Sequence, residues 1–382
     1  MKKLISIILS ILLVFSVSAI AFADGGQTPA EKAHLTFDDK GNFRVLIFAD
    51  IQDDCFLSFA SAAFMRRSVK TYKPDLIVLT GDNISGQPTD LMSIAAYSEV
   101  MGVFQALGVP VAVVFGNHDD QNKAPEKEKL MEVINSFSVS ISYDEGPDIY
   151  GCGTYNVPIY KSADSDEVCF NLWMFDSNTY DEERGGYDYV HEDQIQWYID
   201  KSNELKKANG GEPVPSIVFQ HIIVNEIFDA LDEVDQGTEG AIEYGGKYYV
   251  LPDTAAEGSI LGEHPCPGTY NAGQFDAMVA QGDVIAMDFG HDHTNSFVVP
   301  YKGIDLINTA TCGFHSYGNR ETRGARVIDI SSDGTYKTFT YTYDELYAGN
   351  PFMLFMPVLK DLIDKIGDWF DELGDSVKGM FN

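Results

Sequence analysis

The chain has 382 residues, with 58 acidic and 26 basic side chains and a formal charge of -32. Hydrophobic residues make up 45% and charged residues 22%, so wholesale disorder is excluded, and the length allows one large domain or two ordinary ones. The acidity also excludes a protein that coats nucleic acid, because neutralising phosphates takes clustered Lys and Arg. Any anionic ligand must therefore be held by something other than side-chain cations.

Lys2 and Lys3 precede an apolar run over 4–20 that only Ser interrupts, and Ala21-Phe22-Ala23 fits the small-residue cleavage pattern. These features predict a signal peptide over 1–23, removed after Ala23, and a secreted, extracellular protein. The mature chain would begin at Asp24 with a charge of -34 and a lead-in over 24–41. The rival reading is a retained anchor, for which the run sits at the lower limit of a spanning helix.

Residues 42–50 form an apolar, β-branched run ending in Asp50. Helix-like spacing follows over 56–72, then a strand over 75–80 that runs into Gly81-Asp82-Asn83. A helix over 91–107 leads to a third strand, 111–115, which ends in Gly116-Asn117-His118-Asp119. This alternation signals βαβ units and a largely parallel sheet, whose ligands sit at the carboxyl ends of strands. Further on, a helix is expected over 126–137, antiparallel strands over 154–160 and 168–175, and a helix over 192–208. The strand 216–220 ends in His221, and the strand 284–289 ends in Gly290-His291-Asp292-His293. Residues 228–271 are Gly-rich and acidic, and read as a surface loop with one strand-like piece at 248–251.

Cys55, Cys152, Cys169, Cys266 and Cys312 are few, scattered and odd in number, so they do not form a disulfide framework. If Tyr160 faces Glu167 in the 154–175 hairpin, Cys169 faces Pro158 and not Cys152, which favours free, mostly buried thiols. From 352 onward, Phe355, Leu359, Leu362, Ile366, Phe370, Leu373, Val377 and Met380 recur at three- and four-residue steps, as in an amphipathic helix. Its other face is mainly acidic. Anionic lipid would repel that face, so the helix is expected to dock on the domain or to make protein or surface contact with a partner.

Asp50, Gln52, Asp82, Asn117, His118, His221, His291 and His293 all follow apolar strands. Any one of them alone would be unremarkable turn chemistry. Five such strand ends in one chain point to a site. Carboxylate, amide oxygen and imidazole together suit a divalent ion of intermediate hardness such as Mn, Fe or Zn. No Gly-x-Ser-x-Gly elbow and no His-paired Cys motif supports a nucleophilic alternative.

The series Asp50-Ile51-Gln52, Gly81-Asp82-Asn83, Gly116-Asn117-His118-Asp119, His221 and Gly290-His291-Asp292-His293 resembles the motif series of the calcineurin-like metallophosphoesterases, in order and in placement at strand ends. The resemblance spans about 42 to 329. It implies a four-layer sandwich of two mixed β-sheets flanked by α-helices over 42–345, followed by the helical tail 346–382. It also implies two divalent metal ions. Asp50, Gln52 and His293 would hold the first, Asn117, His221 and His291 the second, and Asp82 would bridge them. His118 would contact the phosphate and protonate the leaving alcohol, with Asp119 as its orienting partner, after metal-hydroxide attack on phosphorus.

One position departs from the family pattern. The first motif is usually Asp-x-His, and Gln52 stands in place of the imidazole. The Asp-x-Gln form is similar to that of manganese-dependent ADP-ribose/CDP-alcohol diphosphatases, whereas Tyr72-Lys73-Pro74-Asp75, Asn271-Ala272-Gly273, Tyr301-Lys302-Gly303-Ile304 and Gly324-Ala325-Arg326-Val327-Ile328 resemble single-domain purple-acid-phosphatase-like phosphoesterases. The expected activity is hydrolysis of small phosphate esters, with monoesters first and phosphodiesters or nucleotide diphosphates as the alternative. A non-catalytic binding protein that keeps the metal site is the alternative of another class. His315, Arg320 and Arg323 follow the last motif, and one of them is expected to reach a phosphate or its leaving group unless each is a solvated loop charge.

Overall fold

The computed structural model describes residues 27–121 and 126–357. The expected signal peptide and the expected helix beyond residue 357 lie outside the described residues. Fourteen strands are present among those described: β1 (Asn42–Phe48), β2 (Leu76–Thr80), β3 (Val111–Val114), β4 (Tyr155–Tyr160), β5 (Val168–Phe175), β6 (Ser216–Gln220), β7 (Asp232–Val234), β8 (Ile242–Tyr244), β9 (Lys247–Val250), β10 (Val284–Phe289), β11 (Phe297–Tyr301), β12 (Ile304–Asn308), β13 (Gly324–Ser331) and β14 (Tyr336–Thr342).

Two large mixed sheets face one another. The first has the order β14-β13-β1-β2-β3, and the second β11-β12-β10-β6-β5-β4. β1, β2 and β3 run parallel, as do β5, β6, β10 and β12; β13 pairs antiparallel with β1, β14 with β13, β11 with β12 and β4 with β5. The apolar runs of β1 and β2 are continuous because both faces of the sheet are covered. In β1, Val45 and Ile47 point into the core between the sheets, where they meet Leu172, Phe219 and Ile307. Leu46 and Phe48, one residue out of phase, pack under the helices Phe59–Tyr72 and Asp90–Gln105 through Phe64, Met65 and Phe104. On the far side, Trp173, Val218 and Met287 pack under the helices Glu192–Ala208 and Gln274–Gln281 through Tyr198 and Phe275. The result is helix, sheet, sheet, helix: the expected four layers.

Side-chain chemistry sets the element limits that composition left loose. The first long helix begins at Phe59, three residues later than the spacing suggests. Asp53 accepts from the Ser58 amide and Asp54 from the Phe56 amide, which holds 53–58 as a turn, and Ser58 then caps the helix by accepting from the Ser61 amide. It ends where Lys73 turns left-handed ahead of Pro74.

Two expectations are corrected. In the β4–β5 hairpin Tyr160 pairs with Val168, Ile159 with Phe170 and Pro158 with Asn171, so Cys169 is the extra residue of a bulge and not the partner of Pro158. The stretch 228–271 is not a plain loop. β7, β9 and β8 form a small antiparallel sheet in which Tyr249 is buried. The five cysteines are free, with Cys55, Cys152 and Cys312 buried.

Residues 351–357 are helical, and Met353 is buried with its carbonyl accepting from the Tyr343 hydroxyl at 2.9 Å. Phe352 and Phe355 are exposed. No helix of the described residues is long and apolar enough to cross a membrane.

Candidate metal centre

Two sheets end at one place. Asp50 follows β1, Asp82 follows β2, and Asn117 and His118 follow β3, all on the first sheet. His221 follows β6, and His291 and His293 follow β10 on the second. The His291 amide crosses the seam to donate to Asp50 Oδ2 at 3.1 Å, and within the first sheet the Gln52 amide donates to the Asp82 carbonyl at 2.8 Å.

The turns that carry these side chains are strained. Asp50 (φ 51°), Gln52 (φ 42°), Asp82 (φ 48°) and His291 (φ 72°) all sit in the left-handed region. Such residues cost on the order of 1–3 kcal/mol each and persist where the surroundings over-determine them. Gly116 is required for a different reason. A Cβ there would lie 2.3 Å from both the amide nitrogen and Oδ1 of Asp82.

The donors fall into two clusters that share one residue. Ligand atoms of Asp82, His221 and His291 lie within 4.8 Å of one another, and so do those of Asp50, Asp82 and His293; all five residues are buried. His221 Nε2 is 3.2 Å from Asp82 Oδ2 and 3.2 Å from Asn117 Oδ1, and His293 Nε2 is 3.4 Å from Asp50 Oδ1. Gln52, two residues after Asp50, is buried with its Oε1 unpartnered, and Asp50 Oδ1 accepts no hydrogen bond. Orphaned buried acceptors cost about 1–3 kcal/mol each unless something positive meets them. Two oxygen acceptors awaiting charge, with imidazoles and an amide oxygen converging on a shared carboxylate, fit a pair of divalent cations.

The family model for calcineurin-like phosphoesterases matches residues 43–295. The chain belongs to the calcineurin-like phosphoesterase family. Among its relatives is a protein of Arabidopsis thaliana named "Probable inactive purple acid phosphatase 29", 29% identical over 79% of this chain and 80% of that one. Another from the same plant, "Probable inactive purple acid phosphatase 14", is 26% identical over 87% and 86%. The crystal structure of a dimetal phosphatase from Danio rerio matches with a TM-score of 0.45 at 16% identity, over 79% of this chain and 99% of that one.

Electrostatics at this calcineurin-like centre follow from burial against charge. Burial pulls the His221 imidazole down, but the Asp82 carboxylate and its hydrogen bond, with Asp50 and the Thr80 carbonyl, push it up to about 9. Asp82, despite burial, is held well below the usual carboxylate range by His221 and His118. His291 goes the other way: burial and the neighbouring His221 lower it. Burial pulls His293 down, but the Asp50 carboxylate, the Tyr317 carbonyl and Asp82 together raise it. The Nδ1 atoms of His221 and His293 face the carbonyls of Thr80 (3.0 Å) and Tyr317 (3.0 Å), which turns each Nε2 toward the carboxylates.

His118 is the accessible member, with its side chain 35% exposed and Nε2 3.9 Å from Asp82 Oδ2. Its amide donates to Asp82 Oδ1 at 2.7 Å. Its orienting partner is not Asp119. Gln121 Oε1 lies 2.5 Å from His118 Nδ1, and Gln121 Nε2 donates to the Tyr180 hydroxyl at 3.1 Å. Asp119 is wholly buried and turned inward. Its Oδ1 accepts from the amides of Asn83 (2.9 Å) and Ile84 (3.1 Å), and its Oδ2 from the amide of Gly116 (2.7 Å) and the Asn83 side chain (3.2 Å). It ties the second motif to the third. Burial and the nearby Asp82 charge push its carboxyl up to about 7.

The residues after the last motif divide. Arg320 is engaged by Asp344 at 2.6 Å, and Arg323 lies over the Phe314 ring. His315 is exposed. Tyr317, which motif reasoning passed over, stacks on His293 with ring centroids 4.1 Å apart. Glu263, from the stretch expected to be a loop near the site, accepts from the Tyr317 hydroxyl (2.9 Å) and the Thr294 amide (2.7 Å).

Proposed function

We propose that this protein is a secreted, metal-dependent phosphoric ester hydrolase that prefers phosphomonoesters. The observation that carries the reading is Asp82, shared by two buried donor clusters, with the exposed imidazole of His118 beside it. Asp50, Gln52 and His293 would hold one divalent ion, Asn117, His221 and His291 the other, and Asp82 would lie between them. When bound, such a pair neutralises phosphoryl oxygens and supplies an activated water near neutral pH.

The chain's own residues would do the rest. Gln121 accepts from His118 Nδ1–H and so leaves Nε2 facing the open site. In its imidazolium form His118 donates the Nε2 proton to the leaving alkoxide oxygen, and the Nδ1–H tautomer that remains is the one Gln121 holds. Asp119 keeps the Asn83 and Gly116 backbone in place under both clusters.

The relatives named "Probable inactive" favour a second reading, a binding protein that keeps the metal site without turnover. Para-nitrophenyl phosphate, its bis ester and ADP-ribose, each assayed with Mn, separate the readings. Monoester turnover that His118→Ala abolishes supports the first. Turnover of the bis ester or of ADP-ribose alone moves the substrate class. No turnover by protein carrying about two ions per chain supports the second.

A further inference from the structure

The geometry points to a leaving-group subsite with two aromatic faces, one at each end of the metal centre, built for phosphate esters whose alcohol carries a flat ring. The inference rests on the reading of the centre as a phosphate-ester site.

Near the His221–His291 cluster, Tyr187 sets its ring edge-on against His291 at 4.3 Å, and Tyr180 stacks on Tyr187 at 5.4 Å. Tyr180 is 44% exposed. Its hydroxyl holds the Gln121 amide that holds His118, so two hydrogen bonds through Gln121 link the ring to the proton donor. Near the Asp50–His293 cluster, Tyr317 lies flat on His293, at an interplanar angle of 9°, and is 57% exposed.

Both faces are built in advance. Tyr180 and Tyr187 pair across a tight turn in which the Asp181 amide donates to the Gly186 carbonyl at 3.0 Å, while the Asp181 carboxylate accepts from the amides of Glu183 and Arg184. Tyr317 is pinned at its far end by Glu263. Large exposed rings against the ligands of a buried polar centre are poor candidates for folding contacts, because they bury little of themselves. They are good candidates for a flat ligand, since ring stacking is tolerant of identity and needs no charge.

The alternative grip, a cation on the organic part, is weak here. Lys127 is committed to Asp176 at 2.8 Å, Arg184 to Asp181 at 2.9 Å, and Arg320 to Asp344.

The test uses non-hydrolysable ligands on Mn-loaded full-length protein, so that binding is read whether or not turnover occurs. 2-Phenylethylphosphonate and 2-cyclohexylethylphosphonate match in carbon count and charge and differ in flatness. Calorimetry should show the flat ligand binding about tenfold tighter. Tyr180→Ala and Tyr317→Ala should each shrink that preference, and Tyr180→Phe and Tyr317→Phe should keep it, because the ring and not the hydroxyl makes the stack. Equal affinity in the wild type, or Ala variants that weaken both ligands by the same factor, would overturn the subsite. Failure of the catalytic reading looks different: the preference persists while 2-phenylethyl phosphate is not hydrolysed. If neither phosphonate binds, both readings fall.

Discussion

Removing Asp119 should unfold the protein more readily before it affects any chemistry. Asp119→Ala deletes the acceptor for three buried backbone amides, those of Asn83, Ile84 and Gly116, and for the Asn83 side chain. Each buried donor left without a partner costs about 1–3 kcal/mol. Some of that is returned, because a carboxyl whose pKa stands at about 7 is itself unfavourably buried. We expect a net loss of about 3–5 kcal/mol, a large share of a typical folding stability of about 5–15 kcal/mol. Urea unfolding of metal-free protein, followed by the fluorescence of the buried Trp173, measures it. Asp119→Asn keeps one acceptor oxygen and should lose roughly half as much. A loss below about 1 kcal/mol for the Ala variant, with kcat reduced all the same, would refute the reasoning and restore Asp119 as a partner of His118.

Four other outcomes are expected. His118→Ala should lower kcat by about 10²–10⁴-fold while elemental analysis finds the metal content unchanged, since its side chain belongs to neither donor cluster. In metal-free protein, His221 is raised from its ordinary 6.5 to about 9, so its contribution to stability is fully present below pH 6.5 and lost as pH rises through about 9; thermal melts across that window should show Tm falling. For the same reason, metal binding at pH 7.5 should release a proton from His221, which calorimetry in buffers of differing ionisation enthalpy detects. Gly116→Ala should abolish metal binding, because its Cβ would lie 2.3 Å from Asp82 Oδ1; normal metal stoichiometry in that variant would contradict the packing.

What could be read from sequence was whatever short-range chemistry enforces. The polar residues at the ends of β1, β2, β3, β6 and β10 were visible because an apolar run must stop before a carboxylate or imidazole can be presented, and a parallel sheet sends those stops to one edge. The four layers came with the family resemblance, and the structure shows them as strands packed on both faces. Other features depend on contacts that no local pattern encodes. Gln121 holds His118 only because the turn after β3 brings residue 121 back onto residue 118. Asp119 stands beside His118 in the chain, yet its carboxylate turns inward toward the backbone of the turns after β2 and β3. Cys169 lost its expected partner to a single-residue bulge, and β7–β9 were hidden in a Gly-rich acidic stretch whose strands are three or four residues long. Tyr180 and Tyr317 carry no motif; they matter through what they lie against.

The charge of -32 takes on a specific meaning at the centre. Asp50 and Asp82 are buried where acids are costly, and the second of them stays ionised only because His221 and His118 are near. A site with that field repels a phosphate dianion, and Lys127, Arg184 and Arg320 are committed to Asp176, Asp181 and Asp344. Two divalent ions held there would reverse the sign of that field for a phosphate ester. They leave the organic half of the ester to be held by uncharged faces, and Tyr180 and Tyr317 are the exposed rings in place to do so. The ions would bind phosphate, and the rings would choose among phosphates, so chelation should abolish binding altogether while loss of a ring should only blur the choice.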